Sequence, residues 1–273
     1  MAEIICIAIP KGGVGKTTTA VNLAASFAVF EKRTLLIDTD TFGACALALG
    51  FTQDKIKGGL YEVYNYVHSL SQVIHRTELP FLDFIPANVG TIQREERLLR
   101  LAENKTLLRN ILQSVTSYYD FIILDTPPVS HGLTTAALLC ATSVLIPIRA
   151  GYFSLEGIEK LLQYLEWIRT TSNKSLFIEG IVQTMYEPHT KATEITDYEL
   201  QQRFRKCLLQ THIPRSTQLN EASFYGKPGI LFNANSKGTQ AYLELAREIF
   251  QRLAERNAAK VAQQLQQDVS HQA

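Results

Sequence analysis

Six apolar runs punctuate the chain, at residues 4–9, 34–37, 81–86, 121–124, 143–148 and 177–184. Each is a nearly continuous series of Ile, Val, Leu or Phe rather than an apolar–polar alternation, as expected of strands buried on both faces. Amphipathic segments between them predict helices over 16–31, 105–117, 134–140 and 155–170. Strand alternating with helix implies an α/β fold, a mostly parallel twisted sheet flanked by helices on both faces. Tyr242, Leu245, Ala246, Ile249, Phe250 and Leu253 recur at the spacing of one buried helical face, which predicts a closing helix packed back on the domain.

The chain has 273 residues, enough for one large core, and a single domain is expected over 1–256. Residues 257–273 are polar and Gln-rich, and are expected to be a disordered tail. A hydrophobic content of 46% against 19% charged residues excludes general disorder before that point. The net charge of +1 gives no reason to expect nucleic-acid binding, so any such function must come from local charge. Cys6, Cys45, Cys140 and Cys207 are far apart and never form a C-x-x-C pair, so neither a zinc nor an iron–sulfur site is expected. They read as small core residues in a reducing compartment. No apolar run approaches membrane-spanning length and no leader pattern opens the chain, so a cytoplasmic location is expected.

The chemistry is concentrated after the first run, where Pro10-Lys11-Gly12-Gly13-Val14-Gly15-Lys16-Thr17-Thr18 leads into a helical pattern. This is a phosphate-binding loop, P-loop NTPase-like: glycines let successive N–H groups face an anion, Lys16 charges the β and γ phosphates, and Thr17 offers a hydroxyl to Mg²⁺. The following helix directs its positive end at the same phosphates. Pro10 occupies the position of the usual first glycine, so the loop is a deviant one. Lys11 is poorly placed for its own nucleotide but within reach of one held by a neighbouring subunit.

Asp38 and Asp40 stand at the end of the second run, where open α/β sheets bind ligands. Strand alternation puts both on one side and leaves Asp40 nearer the mouth, so Asp40 is the candidate for orienting attacking water. Asp125 ends the fourth run ahead of Thr126-Pro127-Pro128 and is the candidate support of a Mg²⁺ shell, directly or through water.

Taken together these motifs resemble the ParA/MinD family of deviant Walker A P-loop ATPases, and its ParA/Soj branch in particular. The likeness runs from Glu3 to about Arg256. It includes Leu35-Leu36-Ile37-Asp38-Thr39-Asp40, Asp125-Thr126-Pro127-Pro128 and Leu145-Ile146-Pro147 followed by Tyr152-Phe153-Ser154-Leu155-Glu156-Gly157. In the last third it adds Ile213-Pro214-Arg215, Leu219-Asn220-Glu221-Ala222, Gly226-Lys227-Pro228 and Ser236-Lys237-Gly238. The resemblance implies a switch in which ATP and Mg²⁺ drive formation of a homodimer with two nucleotides between the subunits. The dimer binds non-specific double-stranded DNA, and hydrolysis, slow and stimulated by a ParB-like or other cargo adaptor, resets it. Lys11 would contact the partner's phosphates, and Gly12, Gly13, Val14, Gly15, Lys16, Thr17 and Thr18 would hold the nucleotide's own. Lys11, Lys16 and Asp40 are thus the catalytic candidates. Thr184, Met185 and Pro214 fall where the family contacts adenine. The implied role is segregation or positioning of a plasmid, chromosome region or protein cargo, in a cytoplasmic, nucleoid-associated protein.

The chain departs from the family after Asp40, where Thr41-Phe42-Gly43-Ala44 replaces the usual Pro-Gln-Gly-Asn. Loss of two polar side chains near the γ-phosphate keeps open the alternative of an ATP-binding scaffold with little turnover. For DNA, the candidates are Arg203, Arg205, Lys206, Arg215, Lys227 and Lys237, six basic residues against the one acidic Glu221 over 203–237. Arg203, Arg205 and Lys206 are expected on one helix. A MinD-like membrane role is the other alternative, but the tail lacks the bulky apolar and basic faces it needs, and no membrane partner is expected.

Overall fold

The computed structural model describes residues 2–129 and 131–271. Six strands lie at the predicted runs: β1 (Glu3–Ile7), β2 (Thr34–Asp38), β4 (Leu82–Ile85), β5 (Phe121–Asp125), β6 (Ser143–Arg149) and β7 (Phe177–Tyr186). β3 (His75–Arg76) and β8 (Leu208–Pro214) complete an eight-stranded sheet in the order β3-β4-β2-β5-β1-β6-β7-β8. Every neighbouring pair is parallel except β3 with β4. The expected mostly parallel sheet with helices on both faces is therefore the observed one.

The continuous apolar runs conceal a period of two. Ile4 and Cys6 of β1, with Ile122 and Leu124 of β5, face one core, while Ile5, Ile7 and Ile123 face the other. The first core is covered by α4 (Ile92–Leu101), α5 (Leu107–Gln113), α6 (Leu133–Cys140) and α7 (Tyr152–Thr171), through Leu98, Leu108, Leu138 and Ile158 among others. The second is covered by α1 (Lys16–Val29) and α11 (Lys237–His271), through Ala20, Leu23, Ala24, Phe27, Tyr242, Leu245 and Ile249. Both faces are dry, so neither needs polar residues, and that is why alternation is missing from the sequence.

α11 clamps the far side of the sheet. Phe250 stacks on Phe27 with centroids 5.0 Å apart, and Glu248 accepts the Gln210 and Thr211 backbone N–H groups of edge strand β8, each at 2.9 Å. The helix continues to His271, so residues 257–271 form helix where a disordered tail is expected; Gln272 and Ala273 lie outside the described residues. The physical reason is composition: Ala, Gln, Leu, Lys and Arg are strong helix formers, and no Gly or Pro interrupts them after Gly238.

β8 and the short α2 (Ala44–Ala48), α3 (Leu60–Tyr64), α8 (Lys191–Phe204), α9 (Thr217–Phe224) and α10 (Gly229–Phe232) carry no predicted counterpart of matching extent. β8 is an edge strand interleaved with Gln210, Thr211 and His212, so its apolar signal is diluted. The remaining helices, α8 aside, are too short to establish a helical period.

Candidate nucleotide and metal site

β1 ends at Ile7 and α1 begins at Lys16, so residues 8–15 form the loop at the carboxyl edge of the sheet. Gly13 (φ +71°) and Gly15 (φ +83°) adopt the left-handed backbone that turns the loop, a conformation glycine enters at little cost. Lys16 is buried, and its Nζ donates to the Lys11 carbonyl at 2.7 Å, across the loop. Burial lowers its pKa, while the nearby Asp125 and Asp40 carboxylates pull it back up. Lys11 is half-buried, and its pKa is also lowered, first by burial and then by the Arg149 charge. The site is therefore cation-rich on the loop side and carries carboxylates on the strand side.

Those carboxylates are brought together by strand register. Asp38 pairs with Asp125 across β2 and β5, and both are fully buried. Thr17 Oγ1, in the first turn of α1, donates to Asp125 Oδ2 at 2.7 Å. Cys45 Sγ, in α2, donates to the same oxygen at 3.3 Å. Asp38 accepts from the Asp40 backbone N–H at 2.9 Å and the Cys45 backbone N–H at 3.1 Å. Asp125 Oδ1 is sealed from solvent and has no hydrogen-bond partner among the described residues. Burial pushes the Asp125 carboxyl up to about 6, opposed by the bonds from Thr17 and Cys45. Burial also raises Asp38 well above the usual carboxylate range, with Asp125 adding repulsion. Two buried carboxylates, one with an orphaned oxygen, beside a threonine hydroxyl make an oxygen-rich donor set suited to a divalent cation. Thr17 and Asp125, the expected metal residues, are thus in contact.

Asp40 lies just outside this cluster and is half-buried. β2 stops at Asp38, so strand alternation does not aim Asp40; it belongs to a turn in which its Oδ1 accepts the Phe42 N–H at 3.1 Å and its carbonyl accepts the Gly43 N–H at 3.0 Å. Thr41 Oγ1 donates to Glu95 Oε1 on α4 at 2.6 Å, anchoring that turn. Phe42 projects into solvent, 81% exposed.

At the other end of the loop, Thr184 Oγ1 donates to the carbonyls of Val14 (2.7 Å) and Ile148 (2.9 Å), tying the loop to β6 and β7. Met185 (φ +49°) follows it, and Pro214 pairs with Tyr186 at the ends of β7 and β8. A cavity of about 330 Å³ opens beside α1, lined by Thr17, Thr18, Asn22, Leu47, Phe224 and Lys227. A larger cavity, about 940 Å³, lies instead around Arg33, Arg76 and Tyr118, near the amino ends of the strands, and is not lined by the phosphate loop.

All six basic candidates are exposed. α8 ends at Phe204, so Arg203, Arg205 and Lys206 do not share a helix: Arg203 is in the last turn, Arg205 caps it and Lys206 lies beyond. Arg203 is ion-paired with Glu159 and with Glu199, and Arg215 with Glu187 at 3.3 Å. Lys227 faces the cavity beside the phosphate loop, and Lys237 opens α11. Glu159, Glu187 and Glu199 lie outside the 203–237 stretch in sequence, and the fold returns them to its arginines. Cys45 and Glu95 also join the site, and neither carries a motif that linear spacing would flag.

A family model described as an AAA domain, AAA_31, matches residues 2–178. The chromosome partitioning protein ParA of Myxococcus xanthus is 39% identical over 252 residues, covering 92% of this chain and 89% of that protein. The sporulation initiation inhibitor protein Soj of Bacillus subtilis is 36% identical over 249 residues, covering 91% and 98%. Among solved structures, cobyrinic acid a,c-diamide synthase of Mycobacterium smegmatis with a bound ATP analogue and magnesium superimposes with a TM-score of 0.76. It is 26% identical, with 90% of this chain and 93% of that one covered. The eight-stranded sheet, the phosphate loop against Asp125 and this near full-length likeness place the chain in the ParA/Soj family of partition ATPases.

Proposed function

We propose that the chain is an ATP-driven partition switch: it binds ATP and Mg²⁺, pairs into a homodimer, binds duplex DNA without sequence preference, and is reset by hydrolysis that a ParB-like or other adaptor stimulates. The observation that carries this is the contact of Thr17 with Asp125 under a buried Lys16. Gly12, Gly13, Val14, Gly15, Lys16 and Thr18 would cradle the phosphates, and Thr184, Met185 and Pro214 would border the base. Bound there, Mg²⁺ would be held by Thr17, with Asp125 behind it directly or through water, and would neutralise phosphate charge. Lys16 draws charge from the transferred phosphoryl group, and Lys11 reaches the partner's nucleotide. Asp40 orients the water that attacks the γ-phosphorus as the bond to ADP breaks. Cargo is a plasmid, a chromosome region or a protein assembly, and the setting is the cytoplasm over the nucleoid. Among the described residues no helix is long and apolar enough to cross a membrane.

Among the described residues Arg205, Lys206, Lys227 and Lys237 form no ion pair and are the stronger DNA candidates; Arg203 and Arg215 already share carboxylates. The test is binding to non-specific duplex with ATP, ADP or no nucleotide, at two salt concentrations, for the native protein and Arg205→Glu. Binding with ATP alone, weakened by salt and by the charge reversal, is expected, because neutralised phosphates release counterions. Dimerisation on ATP without DNA binding would overturn the DNA reading. The alternative of a scaffold with little turnover draws on the turn after Asp40, where Phe42 N–H occupies a carboxylate oxygen. An ATP turnover assay with and without DNA separates the two.

A further inference from the structure

We propose that Asp38, Cys45 and Asp125 form a sulfur-containing cation site that takes a thiophilic divalent ion, Zn²⁺ or Cd²⁺, in the absence of nucleotide. One donor atom from each of the three lies within 4.8 Å of the others, and all three residues are fully buried. The second observation is Asp125 Oδ1, sealed and without a hydrogen-bond partner among the described residues, while Oδ2 takes both Thr17 and Cys45. Strand register holds the two carboxyl groups side by side, and the neighbouring Lys16 bonds the Lys11 carbonyl.

The thiol decides which cation. Mg²⁺ requires oxygen ligands and leaves sulfur unused, whereas Zn²⁺ and Cd²⁺ accept thiolate together with carboxylate in four-coordinate sites. Asp38, Cys45 and Asp125 supply three donors, and Thr17 Oγ1 or a water supplies the fourth. An ion enters past Thr17, which is half-buried, and exchanges the Sγ–H···Oδ2 hydrogen bond for a metal–sulfur bond. The thiol proton goes to solvent, and no electron is transferred. Cys45 comes without a second cysteine; its co-ligands are carboxylates that strand register and the turn into α2 deliver, which is why cysteine spacing gave no zinc signal. Because Asp125 belongs to both sites, a thiophilic ion here excludes Mg²⁺; that consequence rests on the ATPase reading, whereas the binding does not.

The test titrates Cd²⁺ into the nucleotide-free full chain and follows the ultraviolet thiolate-to-cadmium charge-transfer band. The native protein, Cys140→Ser and Cys207→Ser are expected to show one saturable equivalent, and Cys45→Ser to show none. Serine retains a hydroxyl donor toward Asp125, so this variant keeps the fold if Cys45→Ala does not. Cd²⁺ is also expected to raise the melting temperature of the native protein and not of Cys45→Ser. No band, a band retained by Cys45→Ser, or one lost with Cys140 or Cys207 overturns the site. Failure of the ATPase reading would appear separately, as absence of turnover with Mg²⁺ in a protein that still shows the cadmium band.

Discussion

Thr17 and Asp125, 108 residues apart in the chain, are joined by a 2.7 Å hydrogen bond between the first turn of α1 and the end of β5. Strand pairing sets that distance: Ile7, the last residue of β1, pairs with Asp125, so whatever follows β1 is delivered to the carboxylate. Asp125→Asn should keep the fold and raise the melting temperature in metal-free buffer at pH 8, because it removes one of two mutually repelling buried carboxylates. Mg²⁺-dependent nucleotide affinity should fall by roughly 10- to 100-fold. Titration calorimetry with and without Mg²⁺ separates the two effects; an unchanged Mg²⁺ dependence would remove Asp125 from the metal site.

The two loop lysines should fail differently. Lys16→Ala removes the buried ammonium from the phosphates and is expected to abolish nucleotide binding by the monomer. Lys11→Ala should leave monomer binding within about threefold, since roughly 1 kcal/mol or less is at stake for a half-buried charge at the rim of the loop, yet prevent ATP-dependent dimerisation in analytical ultracentrifugation. Equal loss of nucleotide binding in both variants would refute the assignment of Lys11 to the partner's nucleotide.

Asp40→Ala should retain ATP binding and the ATP-bound dimer while slowing hydrolysis by about 10²- to 10⁴-fold, the usual range for a positioned acid–base group. Glu95→Gln, which weakens the anchor from Thr41, should slow turnover less and leave nucleotide affinity unchanged. If Asp40→Ala turns over at the native rate, the water-orienting residue lies elsewhere.

A pH dependence of stability should come from the opposite end of the sheet. Glu179 is buried against Ser143 and Arg256, and burial pushes its pKa up to about 7 from 4.5. Its folded-state pKa is raised, so its contribution is fully present below about 4.5 and is lost as pH rises through about 7. Glu179→Gln stays neutral throughout. It should match the native protein near pH 4.5 and gain on it as the pH rises to 8, by on the order of 1–3 kcal/mol in denaturant melts. A variant that instead loses ground with rising pH would show that the ion pair with Arg256, at 3.4 Å, outweighs desolvation.

The loop, its helix and the two-faced sheet were legible because each depends on local order. Gly13 and Gly15 sit where the turn needs positive φ, and the runs at 4–9 and 121–124 are apolar at every position because both faces are covered. Residues 257–271 are polar yet rich in residues that favour helix, and they continue α11.

By itself, then, the sequence determined the α/β class, the phosphate loop and the identity of the charged groups at the strand ends, since period, glycine placement and run length are properties of neighbouring residues. Which groups meet was decided only by tertiary structure. Asp38, Cys45 and Asp125 converge through strand register and the turn into α2, and the 203–237 charge is partly cancelled by Glu159, Glu187 and Glu199 from inside and outside that segment's own elements. Such pairings depend on how distant segments are folded together, and linear spacing carries no information about them.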